Sequence, residues 1–259
     1  MKNLRKHGQA PFTVAVIHGG PGGAGEVTPV AQALSKTWGV LEPLQTTLTI
    51  KNQLQELKDI IQQHGTLPMT LIGHSWGAWL SFIFTAENPS LVKKLIIVGS
   101  GPFETSYATH IMTTRLNRLC TKDQAKLQSL LNDLNDPTHK NKNAIFTELG
   151  TFISRVDSHD PLPYQDTHLE SNYTIYKAVD TEAKELRRSG KLLAFGKQIQ
   201  CPVVAIHGDY DPHPSEGVQK PLSRMLKNFR FILLKNCGHT PWNERNVREE
   251  FYKILVKEL

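Results

Sequence analysis

Cysteine is scarce in this chain of 259 residues, and the three present, Cys120, Cys201 and Cys237, lie far apart. An odd number of separated thiols does not build a disulfide framework, and none of the spacings suits a zinc site. A reducing, cytoplasmic setting is the expectation. Long apolar runs are missing too. Nothing approaches the roughly 18 consecutive apolar residues of a membrane span. The basic start MKNLRKHGQAPF leads only into the short apolar stretch 14–17, too brief for a signal-peptide core, so no membrane association is expected. There is no long basic block either. The net charge of +6 is spread along the chain, which argues against a nucleic-acid partner. Internal repeats and low-complexity linkers are absent. What remains, 39% hydrophobic and 21% charged, is the composition of a soluble globular protein with one large α/β domain or two small ones.

The apolar patterning is regular in the first hundred residues. FTVAVIHG (12–19) reads as a buried strand, followed by a glycine-rich loop and a helix from about Glu26 to Lys36. WGVLEP holds a short strand. Ile50, Leu54, Leu57 and Ile61 recur at helical spacing, and Gly65 closes that helix. A strand at 69–73 precedes WGAWLSFIFTAENP, a helix apolar nearly all round, and another strand follows at 92–101. Strand alternating with helix predicts a mostly parallel central sheet with helices on both faces. From 103 to 197 the strands stop, and helices are expected over 121–134, 143–156 and 173–188. Strands resume at 201–211 and 229–239, and an amphipathic helix ends the chain. The expected organisation is a core of residues 1–102 and 198–259, interrupted by a helical cap insertion, 103–197, over the carboxyl ends of the strands.

Three loops carry reactive side chains. In TLIGHSWGAW, Ser75 stands between Gly73 and Gly77, after a strand and before a buried helix. Gly-x-Ser-x-Gly recurs by chance, but this context suits a nucleophile elbow, where flanking glycines allow a sharp turn that lifts the hydroxyl to the positive end of the helix. A plain serine helix cap is the alternative. A serine nucleophile needs a base and an orienting acid. NCGHTPW offers His239 just after the last strand, and IHGDYDPHP offers Asp211 as the acid, with Asp209 better suited to bonding the amides of its own turn. The oxyanion of an attacked carbonyl needs donors. The N–H of Trp76 is one, and HGGPGG supplies a second at Gly20, with Gly19 in reserve. As a phosphate cradle, HGGPGG lacks the Lys-Ser/Thr ending and the dinucleotide spacing.

Taken together, HGGPGG, GHSWGA, HGDYD and CGH, in that order and after strands, resemble the α/β-hydrolase superfamily over residues 1–101 and 198–259. HGGPG followed by GHSWG is closest in motifs to the proline-iminopeptidase type, which releases an N-terminal residue from peptides under a helical cap. The resemblance implies an α/β-hydrolase fold and a serine hydrolase. It would act on a small ester or amide, an N-terminal peptide bond included, through Ser75, His239 and Asp211. It implies no cofactor, no metal, and a small-molecule or short-peptide substrate as partner. VLEPLQTTLTI stands where that type carries an Asp-Gln-Arg-Gly loop, and little precedes FTVAVIHG, so the first strands of the usual sheet are expected to be missing. A same-site acyl transferase or lyase, and a non-catalytic binding protein, are the rival readings. In the insertion, Glu148, Asp157, Asp160 and Glu170 are the carboxylates that could meet a substrate ammonium. Phe152, Tyr164, Tyr173 and Phe195 are candidates for lining a pocket, with helix packing as their plainer role. His159, Asp160, Asp166 and His168 fit no standard metal spacing. Cys237, two residues from His239, reads as loop filler. Substrate identity and oligomeric state are not encoded in any motif.

Overall fold

Strands buried on both faces need a helical layer on each side, and the apolar residues here are divided accordingly. The computed structural model describes residues 3–163 and 169–259. The first part of the chain runs β1 (Leu4–His7), β2 (Phe12–Ile17), β3 (Gly23–Ala24), α1 (Thr28–Leu34), β4 (Gly39–Pro43), α2 (Ile50–His64), β5 (Met69–His74), α3 (Trp76–Glu87) and β6 (Val92–Val98). A helical segment follows: α4 (Ile111–Asn117), α5 (Thr121–Asn135), α6 (Lys142–Val156), a short β7 (Glu170–Ser171), α7 (Tyr173–Arg188) and α8 (Lys191–Ala194). The chain then returns through β8 (Val203–Gly208), α9 (Glu216–Met225), β9 (Phe229–Leu234) and α10 (Arg248–Lys257).

Seven strands form the main sheet in the order β1-β4-β2-β5-β6-β8-β9, all parallel except β1. Period-two alternation sends successive side chains to opposite layers. Ala15, Ile17, Leu71, Leu95, Ile97 and Ala205 join the apolar layer of α2, α3 and α9. Val14, Val16, Ile72, Ile96, Val98 and Val204 join that of α1 and α10. The helix α2 begins at Thr49, whose side chain accepts the Asn52 N–H at 3.2 Å, and ends where the Gly65 N–H reaches the Ile61 carbonyl at 2.8 Å. Between β6 and β8, α5 and α6 have a small core of their own around Leu127, Leu130, Phe152 and Val156. Ile175, Val179 and Ala183 of α7 pack into the main layer instead. No helix among the described residues is long and apolar enough to cross a membrane.

Four features depart from the sequence-based expectation. A strand does precede FTVAVIHG: β1 pairs antiparallel with β4. Its LRKH buries only Leu4, so it carries no apolar signature. What holds it is the buried carboxylate of Glu42, which accepts from Thr28 Oγ1 at 2.6 Å and lies 2.7 Å from His7 Nε2 and 3.6 Å from Arg5. The helix expected from Glu26 begins at Thr28, which leaves Glu26 in the loop. Helix α9 was hidden in the pattern by Gly217 and Pro221. Finally, strands do not stop entirely in the helical segment, because β7 pairs with β3 and ties that segment to the glycine-rich loop.

Glycine placement gives a stability test. A Cβ on Gly77 would lie 2.4 Å from the Ile17 carbonyl oxygen, whereas one on Gly150, inside α6, meets nothing within 4 Å. Gly150→Ala is therefore expected to stabilise the protein by about 0.5–1 kcal/mol, raising Tm by roughly 1–4 °C. Gly77→Ala is expected to cost at least about 2 kcal/mol, or to prevent folding. Thermal melts of the two variants beside the parent check both.

Candidate active site

The junction between β5 and α3 is a turn that ordinary residues cannot flank. A Cβ on Gly73 would fall 2.3 Å from the Gly77 carbonyl oxygen, and Gly77 itself presses on the end of β2. Between them Ser75 has φ 51° and ψ −112°, one of two non-glycine residues with positive φ among those described. Its N–H donates to the Val98 carbonyl at 3.0 Å, which fixes the turn to the end of β6. The side chain makes no capping hydrogen bond, so Ser75 is not serving as an ordinary helix cap. It lines a cavity of about 640 Å³ together with Gly20, Trp76, Trp79, His213 and His239.

His239 reaches that cavity from the loop after β9. Its Nδ1 lies 2.6 Å from Asp211 Oδ2, and Asp211 stands in the loop after β8. The other carboxylate oxygen accepts the His213 N–H at 2.9 Å and faces His213 Nδ1 at 2.8 Å. Burial alone would raise the Asp211 pKa, but the charges and hydrogen bonds of His239 and His213 outweigh it and hold the carboxyl well below its usual range. Burial likewise pulls the His239 pKa down, and the charge and hydrogen bond of Asp211 reverse this, for a net rise above 6.5. Asp209, the other acid considered, turns away, with Oδ1 at 3.4 Å from the Cys237 N–H and Oδ2 at 3.5 Å from Lys235. Space beside His239 is guarded by Gly99, where a Cβ would lie 2.6 Å from the His239 carbonyl oxygen.

Two residues that the sequence analysis passed over connect these loops. Glu26 Oε2 accepts the Gly19 N–H at 2.8 Å and lies 3.0 Å from His74 Nδ1, and His74 Nε2 lies 3.0 Å from the His239 carbonyl oxygen. The glycine-rich loop, the residue before Ser75 and the His239 loop are thus joined through one carboxylate and one imidazole. The Gly19 N–H is occupied, so Gly20, with φ 41°, is the glycine of that loop left to face a ligand. Burial works to raise the Glu26 pKa, but the charge and hydrogen bond of His74 bring it down to about 2. His74 was legible only as the residue between Gly73 and Ser75, and Glu26 only as the acid that ends GGAGE.

Of the remaining candidates described, Asp157 lines the Ser75 cavity and the others do not. Glu148 pairs with Lys126 at 2.9 Å, Asp157 with Arg115 at 2.5 Å, Asp160 with Arg245 at 3.5 Å, and Glu170 with Arg5 at 3.0 Å. Phe152 is buried between α5 and α6, and the Tyr173 hydroxyl donates to the Leu134 carbonyl at 3.1 Å. Phe195 lines a different cavity, beside α2. The aromatic rings around Ser75 are instead Trp76, Trp79, Phe146 and Tyr176. Tyr164, Asp166 and His168 lie outside the described residues, and the His159 ring stands edge-on to Tyr210. Among the described residues, the acid and imidazole groups close enough to share a metal ion are those of Asp211, His213 and His239. Their nitrogens and oxygens are already bonded to one another. Cys237 is buried, and burial pushes its thiol pKa up, away from the reactive thiolate.

Two titrations test this network. The His239 imidazole is expected to titrate above 6.5 by NMR, and Asp211→Asn to bring it down, because the opposing charge is removed. Glu26 has its pKa depressed from 4.5 to about 2 in the fold. Its contribution to stability is then full above about pH 4.5 and disappears as pH falls toward 2. The difference in urea stability between the parent and Glu26→Gln is expected to shrink across that window.

Residues 42–242 match the family model for the alpha/beta hydrolase fold. Among curated proteins, the chain is 24% identical over 282 residues to the 2-hydroxy-6-oxononadienedioate/2-hydroxy-6-oxononatrienedioate hydrolase of Escherichia coli K12, with 100% of this chain and 92% of that one covered. Among solved structures it superposes on Est816, an N-acyl homoserine lactone degrading enzyme, with TM-score 0.66 and 13% identity over 99% of this chain and 96% of that one. It superposes on the monoacylglycerol lipase of Paleococcus ferrophilus with TM-score 0.60 and 16% identity over 99% and 98%. The parallel sheet, the turn after β5 and the family match agree, and the chain belongs to the alpha/beta hydrolase fold family.

Proposed function

We propose that the protein is a serine hydrolase that cleaves a small ester bond through an acyl-enzyme on Ser75, beneath a cap formed by residues 103–197. The observation that carries this reading is the turn at Ser75, held at φ 51° with its side chain uncommitted, in the cavity that His239 also lines. His239 Nδ1 faces Asp211, so Nε2 is the nitrogen that takes the Ser75 proton. The Ser75 oxygen adds to the substrate carbonyl. The N–H groups of Trp76 and Gly20 receive the negative charge that forms on the carbonyl oxygen. The tetrahedral adduct collapses, the bond to the leaving group breaks, and that group takes the proton from His239. A water then gives its proton to His239 and adds to the acyl carbon. The second collapse returns the proton to Ser75 and releases the acid. Asp211 keeps the imidazole oriented and stabilises it while it is charged.

An ester is favoured over an N-terminal peptide bond by the charge pattern. Recognition of a substrate ammonium requires a carboxylate free to meet it. The acids considered for that task are each held by a cation of the chain, and Glu26 and Asp180, which also line the cavity, face His74 and Lys184 at 3.0 and 2.6 Å.

Ser75→Ala is expected to lower hydrolysis of 4-nitrophenyl esters by at least about 10⁴-fold, and to abolish labelling by a fluorophosphonate. Ser75→Gly is expected to be equally inactive but more stable, by about 1 kcal/mol, because the positive φ no longer costs strain. Retained turnover in either variant defeats the assignment. A panel of 4-nitrophenyl esters beside aminoacyl 4-nitroanilides is expected to show preference for the esters, and preference for free-amine anilides restores the peptidase reading.

A further inference from the structure

Among the described residues, the charged side chains around the Ser75 cavity are paired off, with one exception. Glu26 is bound to His74, Arg115 to Asp157, Lys184 to Asp180, and Asp211 to two imidazoles. Arg187, near the end of α7, also lines the cavity. Its Nε is sealed from solvent without a hydrogen-bond partner, and no carboxylate among the described residues stands within ion-pairing distance. Its guanidinium instead lies 5.5 Å over the ring of Trp79.

That ring is a fixed platform. Trp79 Nε1 donates to the Gly101 carbonyl at 3.0 Å, and the ring is flanked by Trp76 at 6.5 Å and Phe103 at 6.4 Å. A guanidinium at this distance is attracted to the ring face, which also takes the place of water on that side. Burial works against the charge, and Asp180 offsets this only in part, so the pKa of Arg187 falls below its ordinary value. Arginine nevertheless stays protonated. The cavity therefore holds a cation that is partly desolvated and, among the described residues, has no carboxylate within ion-pairing distance, an arrangement that costs free energy until an anion arrives.

We propose that Arg187 receives a carboxylate of the substrate, so that the protein acts on acidic esters whose anionic group lies several bonds from the scissile carbonyl. This rests on the serine hydrolase reading above. Trp79 follows Ser75 by one turn of α3, a separation of about 5–6 Å. With the guanidinium beyond the ring, the distance from hydroxyl to cation is on the order of 10 Å, which an acyl chain of about six carbons spans. The planar fork of Arg187 accepts a carboxylate through two parallel N–H···O bonds. The surplus charge also sets the sign of selection, because a substrate ammonium at this place meets repulsion.

The test compares charged and neutral esters of matched size. 4-Nitrophenyl hydrogen adipate against 4-nitrophenyl hexanoate places the charge on the acyl side, and 4-carboxyphenyl butyrate against phenyl butyrate places it on the leaving group. In one of the two pairs, the charged ester is expected to have a kcat/KM about 10- to 100-fold above its neutral twin, mainly through KM. Arg187→Gln is expected to bring that ratio close to one, and Arg187→Lys to retain part of it. No preference in either pair overturns the proposal, as does a preference that survives Arg187→Gln or a variant that loses both esters in equal proportion. If the parent hydrolyses none of the esters and resists fluorophosphonate, it is the hydrolase reading that fails. Arg187 is then judged by binding: adipate is expected to change tryptophan fluorescence saturably in the parent and not in Arg187→Gln, while hexanamide does neither. Absence of that difference overturns the anion site by itself.

Discussion

A side chain at positive φ, flanked by residues that must have no side chain, is the constraint on which the site depends. The turn at Ser75 exists because β5 ends against β6 and α3 starts against β2 with no room between them. Gly73 touches the backbone of Gly77, and Gly77 touches the backbone at the end of β2. Close packing of backbone on backbone leaves the serine, beside Trp76, facing the cavity. The strain is maintained by packing on both sides of the sheet together with the backbone of the serine, whose N–H donates to the Val98 carbonyl and whose carbonyl accepts the Ala78 N–H. Such strain persists only where the surroundings over-determine it. Here the surroundings are two apolar layers, with α3 almost entirely buried in one of them.

The second constraint is electrical and reaches further. His74 ends β5 at the turn, and its imidazole occupies the space between Glu26 and the backbone of His239. One carboxylate therefore positions a glycine N–H and an imidazole at once. The loops after β2, β5 and β9 cannot move independently without breaking one of these hydrogen bonds. Asp211 plays the matching part on the other side of His239, with both oxygens engaged by histidines. These two acids face the site from opposite sides, and both are held ionised against burial by neighbouring imidazoles.

Much of this was legible in the sequence because it is encoded locally. Period-two apolar runs gave the central strands, and glycines two residues either side of Ser75 gave the turn. Position after a strand selected His239, and chain order with turn chemistry selected Asp211 over Asp209. What escaped has no local signature. β1 is held by Glu42, 37 residues beyond Arg5 along the chain, and its own four residues look like a charged tail. Pro221 broke the helical pattern of α9, yet it stands inside that helix, where the Gly217 carbonyl that lacks its N–H accepts instead from the Phe103 N–H at 2.9 Å. Glu26 looked like the first residue of a helix because an acid at a helix start is ordinary. Its partner His74 lies 48 residues on, and nothing in either stretch announces the other.

Cavity charge is the hardest of these properties to read from a sequence, since it is a remainder after pairing. The segment between β6 and β8 contains acids and bases in plenty. Taken one at a time, its carboxylates suggest an ammonium subsite as readily as its arginines suggest an anion subsite. Pairing decides between them, and pairing is mostly long-range: Arg115 with Asp157 across 42 residues, Arg5 with Glu170 across 165. Lys184 with Asp180, four residues apart on one helix, is the kind of pair that spacing alone foretells. Once those bonds are drawn, the acids nominated for an ammonium are committed, and the group left over near Ser75 is a guanidinium. On the reading proposed above, a single exchange that pairs or unpairs one charge in the helical segment would change the substrate charge favoured while leaving the turn at Ser75 in place.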